Sequence, residues 1–223
     1  MPKEEEEEEI IMPQFVLPQS DYLTRSRIIY FNTEFNQTSA RSCIERLLIM
    51  DAESIHDDIT LLIDSNGGDV YSFFAIYDSI TKLIHCDVAT VCLGRAMSCG
   101  QMLLMSGTKG KRFITENSNV MMHQISSGTI GKISEMENHV QMVQNLMKRF
   151  EKIILKHSKI KKNELSRLMS RDAYMSPEEV IKYGICDHLI TKPSDLYSRL
   201  VSKNIKTRNV IDKMVNESKI KRA

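Results

Sequence analysis

The sequence predicts an α/β fold with a largely parallel sheet, and two observations support this. Short apolar runs that end in a tight turn, such as residues 59–64 before Asn66-Gly67-Gly68, have the length and composition of buried strands. Longer segments with apolar residues at helical spacing alternate with these runs, and the alternation repeats along the chain. Such repeated strand–helix–strand units are typical of parallel sheets, whose strands need a helical crossover.

The elements of the N-terminal half follow in a regular order. A β-branched and aromatic run predicts the first strand, and apolar residues at steps of three and four then predict a helix with Ser39 as candidate N-cap. A glycine pair ends the second strand, and a segment rich in aromatic and aliphatic residues predicts the next helix. The predicted bounds are strands at 27–31, 59–64 and 88–93 and helices at 38–50 and 70–84.

The second half continues this pattern with a helix that begins at Ser98 and short strands at 112–114 and 119–122. A long helix follows, for which Ser134 and Glu137 form a candidate capping box. We expect its apolar stripe to pack in the core or at a subunit interface. The stripe comprises Met136, Val140, Val143, Met147, Phe150 and Ile154.

The last predicted helix has well-defined ends. Ser176 and Glu179 can form a capping box, Pro177 suits the first turn, and Gly184 can close the helix before a strand at 185–190. These limits place Asp172 in a loop between two helices, where functional carboxylates are common.

Length and charge limit the classes of function. The chain has 223 residues and a formal net charge of +1, which allows one domain with tails and gives no overall attraction to nucleic acid or to an anionic membrane. We predict an acidic N-terminal tail at 1–20, one folded domain at 21–193 and a basic C-terminal extension at 194–223. Neither nucleic acid nor a membrane is an expected partner.

The cysteines and histidines lack the patterns of metal and disulfide sites. The five cysteines contain no CxxC pair and the six histidines no HExxH motif, so we predict no disulfide framework and no metal. No apolar run reaches the roughly 18–20 residues of a membrane span, and the N-terminus lacks the features of a signal peptide. We therefore expect a cytoplasmic, reducing location.

Three residues carry the candidate chemistry. Ser98 follows a buried strand and begins a helix, whose free N–H groups stabilise negative charge, although alone it could equally be an N-cap. His123 alone could be a core histidine, and Asp172 could pair with neighbouring Arg171. Together they form a candidate hydrolytic triad, because a serine hydroxyl needs a base and a histidine base needs a fixed tautomer.

The Gly67-Gly68 turn adds a possible oxyanion site, because glycines at the end of a parallel strand let the backbone approach a ligand. The same feature suits phosphate binding, but no GxGxxG or GK[ST] motif is present. Cys99 is a second candidate nucleophile. We favour a packing or oxyanion-donating role for it, because an adjacent side chain on the same turn points elsewhere than the serine.

In joint order and spacing these residues resemble the ClpP family, the proteolytic subunits of the Clp protease, from about residue 22 to 190. The matching stretches are Ile63-Asp64-Ser65-Asn66-Gly67-Gly68, residues 94–100 and 107–113, Met121-Met122-His123-Gln124, Arg171-Asp172, and Met175-Ser176-Pro177-Glu178-Glu179 with Tyr183-Gly184. The resemblance implies a crotonase-like spiral of ββα units with a protruding handle helix. It also implies that Ser98 is the nucleophile, His123 the general base and Asp172 its orienting carboxylate, with the N–H groups of Gly68 and Cys99 as oxyanion donors.

The resemblance further implies an ATP-dependent serine endopeptidase that cleaves unfolded proteins inside a chamber of two stacked heptamers, a tetradecamer. Its partners would be copies of itself and an AAA+ unfoldase such as ClpX, ClpA or ClpC. The unfoldase would consume the ATP, so this chain would need no cofactor. Docking would fall on the apolar positions Leu62, Val91, Leu93 and Phe113.

Several positions depart from the family pattern. Asn66 stands where the family usually has proline, Asp69 adds a charge beside the oxyanion turn, Met97 and Cys99 replace alanine and methionine around the serine, and Ile125 replaces proline. The helix after the glycine pair is also about one residue longer. Two alternatives stay open: a catalytically impaired scaffold subunit of a mixed ring and, from another class, an acyl-CoA enzyme of the crotonase fold.

Overall fold

Seven strands form a single, mostly parallel sheet in the computed structural model, which describes residues 23–199. The strands are β1 (Ile28–Phe31), β2 (Ile59–Ser65), β3 (Val88–Met97), β4 (Arg112–Thr115), β5 (Asn119–Met122), β6 (Ala173–Met175) and β7 (His188–Ile190). The helices are α1 (Gln37–Glu53), α2 (Val70–Asp78), α3 (Cys99–Met105), α4 (Ile133–His157), α5 (Lys162–Leu168), α6 (Pro177–Lys182) and α7 (Pro193–Tyr197). The predicted α/β class is confirmed. The predicted acidic tail and all but the start of the predicted basic extension lie outside the described residues.

The sheet order brings the ends of β2, β3 and β5 together. The strands lie in the order β1-β2-β3-β4-β7, and β5 pairs with residues 95–97 of β3, beyond the point where β4 stops pairing. All of these pairs are parallel, whereas β6 runs antiparallel to β5. Because parallel strands end at the same edge of a sheet, the residues that follow β2, β3 and β5 share one edge.

The sheet buries apolar side chains on both faces. One face, which includes Cys92 and Ile114, joins the main core under the helices. The alternate residues of the same strands point the opposite way. On that face Ala89, Val91 and Phe113 form a second, smaller cluster, separate from the main core.

Helix α1 begins at Gln37, so Ser39 lies inside the helix and is not its N-cap. The N-cap is Asn36, whose side-chain oxygen accepts a hydrogen bond from the Ser39 N–H at 2.9 Å, while the Ser39 hydroxyl accepts from the Asn36 N–H at 3.0 Å. These reciprocal bonds form a capping box, which explains why the helix starts before Ser39.

Helix α4 also begins earlier than predicted, and the prediction that Ser134 and Glu137 form its capping box is wrong. Glu135 instead occupies the third helical position, and its carboxylate accepts from the Lys132 N–H at 3.0 Å. The N–H of Lys132 has no acceptor within the helix, and the Glu135 carboxylate supplies one. This hydrogen bond therefore determines where the helix begins.

Helix α2 covers only the first part of the predicted helix at 70–84. The chain continues as a π-helical turn over Ser79–Leu83, in which the Ile84 N–H donates to the Ser79 carbonyl at 3.2 Å. A π-helical turn holds more residues than an α-helical turn. It therefore fits the additional residue expected in this segment.

The C-terminal part contains a strand that the sequence did not predict. Because of β6, Asp172 lies between α5 and a strand and not between two helices. β6 has three residues, too few to show a periodic pattern. β7 is also shorter than the predicted strand at 185–190, whereas α6 has the predicted cap, with the Ser176 side chain accepting from the Glu179 N–H.

Candidate active site

Ser98 lies at the sharp turn between β3 and α3. Its backbone has φ +54° and ψ −119°, a costly conformation for a residue other than glycine, and its N–H donates to the Met121 carbonyl at 2.9 Å. Although Ser98 occupies the N-cap position of α3, its side chain makes no capping hydrogen bond. The hydroxyl therefore remains available to the residue that follows β5.

The close approach of Gly67 supports this turn. A Cβ atom on Gly67 would lie 2.7 Å from the Ser98 Cβ and 2.9 Å from the Met97 carbonyl oxygen, which is closer than real side chains pack. The Gly67 φ of +102° also favours glycine. The glycine after β2 thus lets one strand end pack directly against the next.

His123 follows the last residue of β5 and contacts the serine. Its Nε2 atom is 2.8 Å from the Ser98 Oγ atom, the hydrogen-bond distance at which a base can take the hydroxyl proton. The imidazole is 22% exposed and lines a cleft, unlike a core histidine. The first two predicted site residues are therefore in contact.

Asp172 reaches the histidine because β6 pairs with β5. Met122 faces Ala173 in that pairing, so the next residues, His123 and Asp172, are neighbours. The Asp172 Oδ1 atom lies 3.6 Å from His123 Nδ1, and the carboxylate is 59% exposed. This distance exceeds that of a hydrogen bond. The three predicted residues are therefore adjacent, but only Ser98 and His123 lie within hydrogen-bond distance of each other. No ion pair joins Asp172 to Arg171 in the described part of the chain.

Two backbone N–H groups lie close to Ser98, because Gly68 lines the same cleft and Cys99 directly follows the serine. Phe35 bridges Gly68 from the other side, because its N–H donates to the Gly67 carbonyl and its carbonyl accepts from the Asp69 N–H, each at 2.8 Å. This pattern leaves the N–H of Gly68 directed away from Phe35. Cys99 is the first residue of α3, so its N–H has no partner within the helix. Both groups can donate to an oxyanion beside the serine.

The Cys99 side chain does not compete with the serine as a nucleophile. Its Sγ donates to the Gly68 carbonyl oxygen at 3.3 Å, and burial raises the pKa of the thiol to about 12. The thiol is therefore protonated at neutral pH, and a thiol is a far weaker nucleophile than a thiolate.

An apolar cleft of about 250 Å³ opens beside Ser98. Its apolar lining includes Val70, Met102, Met122, Phe150, Ile154 and Met169. These residues come from α2, α3, β5, α4 and the end of α5, and the sequence did not identify them as a binding surface. Apolar residues at helical spacing indicate a packing face, and nothing local distinguishes a face that lines a cleft from one that fills the core.

Two residues that depart from the family pattern lie close to the glycine turn. Asp69 is the N-cap of α2, and its Oδ2 accepts from the Ser72 N–H and the Ser72 hydroxyl, each at 2.7 Å. Its side chain borders a groove beside α1 instead of the cleft. Asn66 does line the cleft, and its Oδ1 accepts from Arg95 at 3.3 Å.

The four predicted docking residues gather at the second cluster. Val91 and Phe113 are buried in it, and Leu62 and Leu93 pack against it partly buried. The strand register places Leu62 beside Val91 and Val91 beside Phe113. Ile190, the last residue of β7, packs on the same cluster but was not among the predicted docking residues. β7 has only three residues, which is too short to show an alternating pattern.

Residues 23–199 contain no group of three or more His, Cys, Asp or Glu side chains placed to hold a metal ion. Within this span no helix has the length and apolar character needed to cross a membrane. All five cysteines are buried free thiols.

Comparisons with known proteins identify the family. The Clp protease family model matches residues 15–193. A relative from Deinococcus radiodurans, named ATP-dependent Clp protease proteolytic subunit, is 39% identical over 168 residues, which cover 75% of this chain and 82% of the relative. Nothing in these matches favours an acyl-CoA enzyme or a scaffold subunit. The chain belongs to the Clp protease family, and the resemblance predicted from its motifs is confirmed.

Proposed function

We propose that this chain is a serine endopeptidase in which Ser98 is the nucleophile, His123 the general base and Asp172 the orienting carboxylate. The observation that carries the proposal is the 2.8 Å contact between His123 Nε2 and Ser98 Oγ, beside two N–H donors and an apolar cleft. A histidine that accepts a hydrogen bond from a serine hydroxyl can remove its proton during attack on a carbonyl carbon.

The reaction then follows in two stages. Ser98 Oγ bonds to the scissile carbonyl carbon, its proton passes to His123 Nε2, and the carbonyl oxygen gains negative charge. The N–H groups of Gly68 and Cys99 donate to this oxygen. The C–N bond breaks as His123 gives its proton to the leaving amine, and the remaining acyl-enzyme is hydrolysed by a water molecule that His123 deprotonates.

The apolar cleft favours an apolar side chain next to the scissile bond. Met102 and Met169 lie on its wall, and the unbranched thioether side chain adapts to groups of different shape. Unfolded polypeptides supply such apolar side chains along an accessible backbone, and we propose them as the substrates.

Exposed apolar residues on α4 support self-assembly. Ile133 is 77% exposed and Val140 53% exposed, and Met136 and Met142 are also exposed. Such a surface on a helix indicates a protein contact. We propose that this end of α4 packs on a second copy, within two heptameric rings stacked into a tetradecamer, whereas Phe150 and Ile154 of the same helix belong to the core.

We propose that an AAA+ unfoldase docks on the second cluster and consumes ATP, while this chain itself uses no cofactor. Support comes from the grouping of Leu62, Val91, Leu93 and Phe113 on one sheet face. A cytoplasmic location completes the proposal, supported by five free thiols, which are typical of a reducing compartment.

A fluorophosphonate probe with peptide mapping tests the nucleophile. We expect the probe to label the wild type at Ser98, and the wild type to hydrolyse a fluorogenic peptide with an apolar residue before the scissile bond. Ser98→Ala should lose labelling and at least about 10³-fold of the hydrolysis rate, with its mass in solution unchanged. Ser126→Ala is the matched control, because Ser126 lines the same cleft. Labelling at another residue, or full hydrolysis by Ser98→Ala, would refute the assignment.

A further inference from the structure

The docking surface is already in contact with the chain's own C-terminal helix. Leu196 of α7 packs, partly buried, against the second cluster of Ala89, Val91 and Phe113. It is therefore seated on the same apolar surface as the predicted docking residues. Leu196 lies beyond residue 193, where the match to the Clp protease family model ends.

One carboxylate fixes α7 to the end of β7. Asp195 Oδ2 accepts from the Thr191 N–H at 3.0 Å, the Thr191 hydroxyl at 2.9 Å and the Lys192 N–H at 3.0 Å. The hydrogen bonds from Thr191 lower the pKa of Asp195. Pro193 also suits the first turn of the helix. The connection is therefore defined, although every one of these hydrogen bonds is exposed to solvent.

The contact of α7 with the cluster is small enough to open. A helix of five residues is unstable in isolation, so α7 depends on its tertiary contacts, of which the structure describes the Asp195 anchor and the packing of Leu196. A single partly buried leucine adds only a small stabilisation relative to that of a whole domain. An apolar partner that binds the cluster more tightly than Leu196 can therefore displace the helix.

We propose that α7 is a displaceable intrachain cover of the docking surface, with Leu196 in the place of a partner's apolar side chain. A partner that needs the uncovered surface binds with an affinity reduced in proportion to the fraction of chains in which α7 is detached. Loosening α7 increases that fraction. The partner's identity rests on the proposed function above, whereas the cover itself rests only on the contacts of α7.

The test compares the full chain with Leu196→Asp. Ser194→Asp is the matched control, because it adds the same charge at an exposed position of the same helix. Two measurements require no catalysis: the fluorescence of 8-anilinonaphthalene-1-sulfonate, which reports accessible apolar surface, and hydrogen exchange at the Thr191 and Lys192 amides. We expect about a tenfold faster exchange at both amides in Leu196→Asp, from the lost burial of one leucine side chain. The dye signal should rise in the same variant, and Ser194→Asp should match the wild type.

Equal exchange and dye signal in Leu196→Asp and Ser194→Asp would overturn the proposal. So would wild-type Thr191 and Lys192 amides that exchange as slowly as the amides of β3, because α7 would then open only when the domain unfolds. Fluorophosphonate labelling of the same samples reports the peptidase separately. Absence of labelling in every chain would refute the proposed activity and leave the result for α7 unaffected.

Discussion

His123 Nδ1 and Asp172 Oδ1 lie 3.6 Å apart, close enough for electrostatic attraction and too far for a hydrogen bond. The aspartate is exposed and precedes a short strand, so rotation of its side chain can close the contact. In the proposed mechanism this carboxylate selects the imidazole tautomer that leaves Nε2 free to accept the serine proton. Its expected effect is therefore on the rate of hydrolysis and not on folding.

Asp172→Asn should reduce kcat for peptide hydrolysis by about 10²- to 10⁴-fold with little change in KM, because the amide favours the wrong tautomer. Steady-state kinetics with a fluorogenic peptide measures both constants. Glu164→Gln, which removes the charge of a half-buried carboxylate 3.9 Å from its partner Arg167, should leave both constants unchanged. An unaltered kcat in Asp172→Asn would show that the carboxylate has no part in the reaction.

Gly67→Ala should inactivate the protein and lower its free energy of unfolding by about 1–3 kcal/mol, because the new Cβ would displace Ser98 and φ is positive. Urea denaturation and fluorophosphonate labelling test the two effects. Gly128→Ala provides the control, since nothing lies within 4 Å of the Cβ that would be added there. Wild-type labelling of Gly67→Ala would contradict the close packing of this turn against the serine.

Asp69→Asn should change kcat less than about twofold, because the Asp69 carboxylate caps α2 and asparagine is an equally good N-cap. Asp69→Ala should instead lose about 1 kcal/mol of stability. Peptide kinetics and urea denaturation of both variants separate charge from capping. If Asp69→Asn raises kcat severalfold, the charge does act on the oxyanion site.

Stability should fall as the pH rises above about 9. Burial raises the pKa of Cys43, Cys92 and Cys99 to about 12, from an ordinary value of 9.0. The folded state therefore keeps protons that the unfolded state releases, so the stabilisation is complete below pH 9 and is lost as the pH approaches 12. Each thiol contributes a slope of about 1 kcal/mol per pH unit. Urea denaturation from about pH 8 to about pH 10.5 measures this slope, and Cys99→Ala should show a shallower one. An identical slope in Cys99→Ala would contradict burial of that thiol.

Asp187→Asn should destabilise the fold by about 3–5 kcal/mol, because it leaves a buried guanidinium without its charge partner. Arg112, whose side chain is only 4% exposed, donates to Asp187 from Nε at 2.9 Å and from Nη2 at 2.7 Å. Glu45→Gln, in the exposed pair with Arg41, should cost no more than about 0.5 kcal/mol. Similar urea midpoints for the two variants would show that burial does not strengthen the Arg112–Asp187 pair.

Much of the fold follows from local pattern. Apolar runs and helical periodicity are properties of neighbouring residues, so β2 and the helix that Ser176 caps agree with the prediction. β3 begins where predicted but continues to Met97 instead of ending at residue 93, because residues 95–97 pair with β5. The N-cap positions at Asn36 and Lys132 differ from the predicted ones, because several polar residues compete for each cap and the best hydrogen-bond geometry decides. β6 has no pattern of its own, and its pairing with β5 defines it.

The sequence by itself determined the kind of chemistry, since Ser98, His123, Asp172 and the Gly67-Gly68 turn are residue types in a recognisable order. Only the tertiary structure decided that His123 is in hydrogen-bond contact with Ser98 while Asp172 stands at 3.6 Å, that the Asp69 carboxylate caps a helix, and that Leu196 packs against the second cluster. The reason is physical: residue type and spacing belong to the chain, whereas these distances depend on strand pairing and packing between residues far apart in sequence.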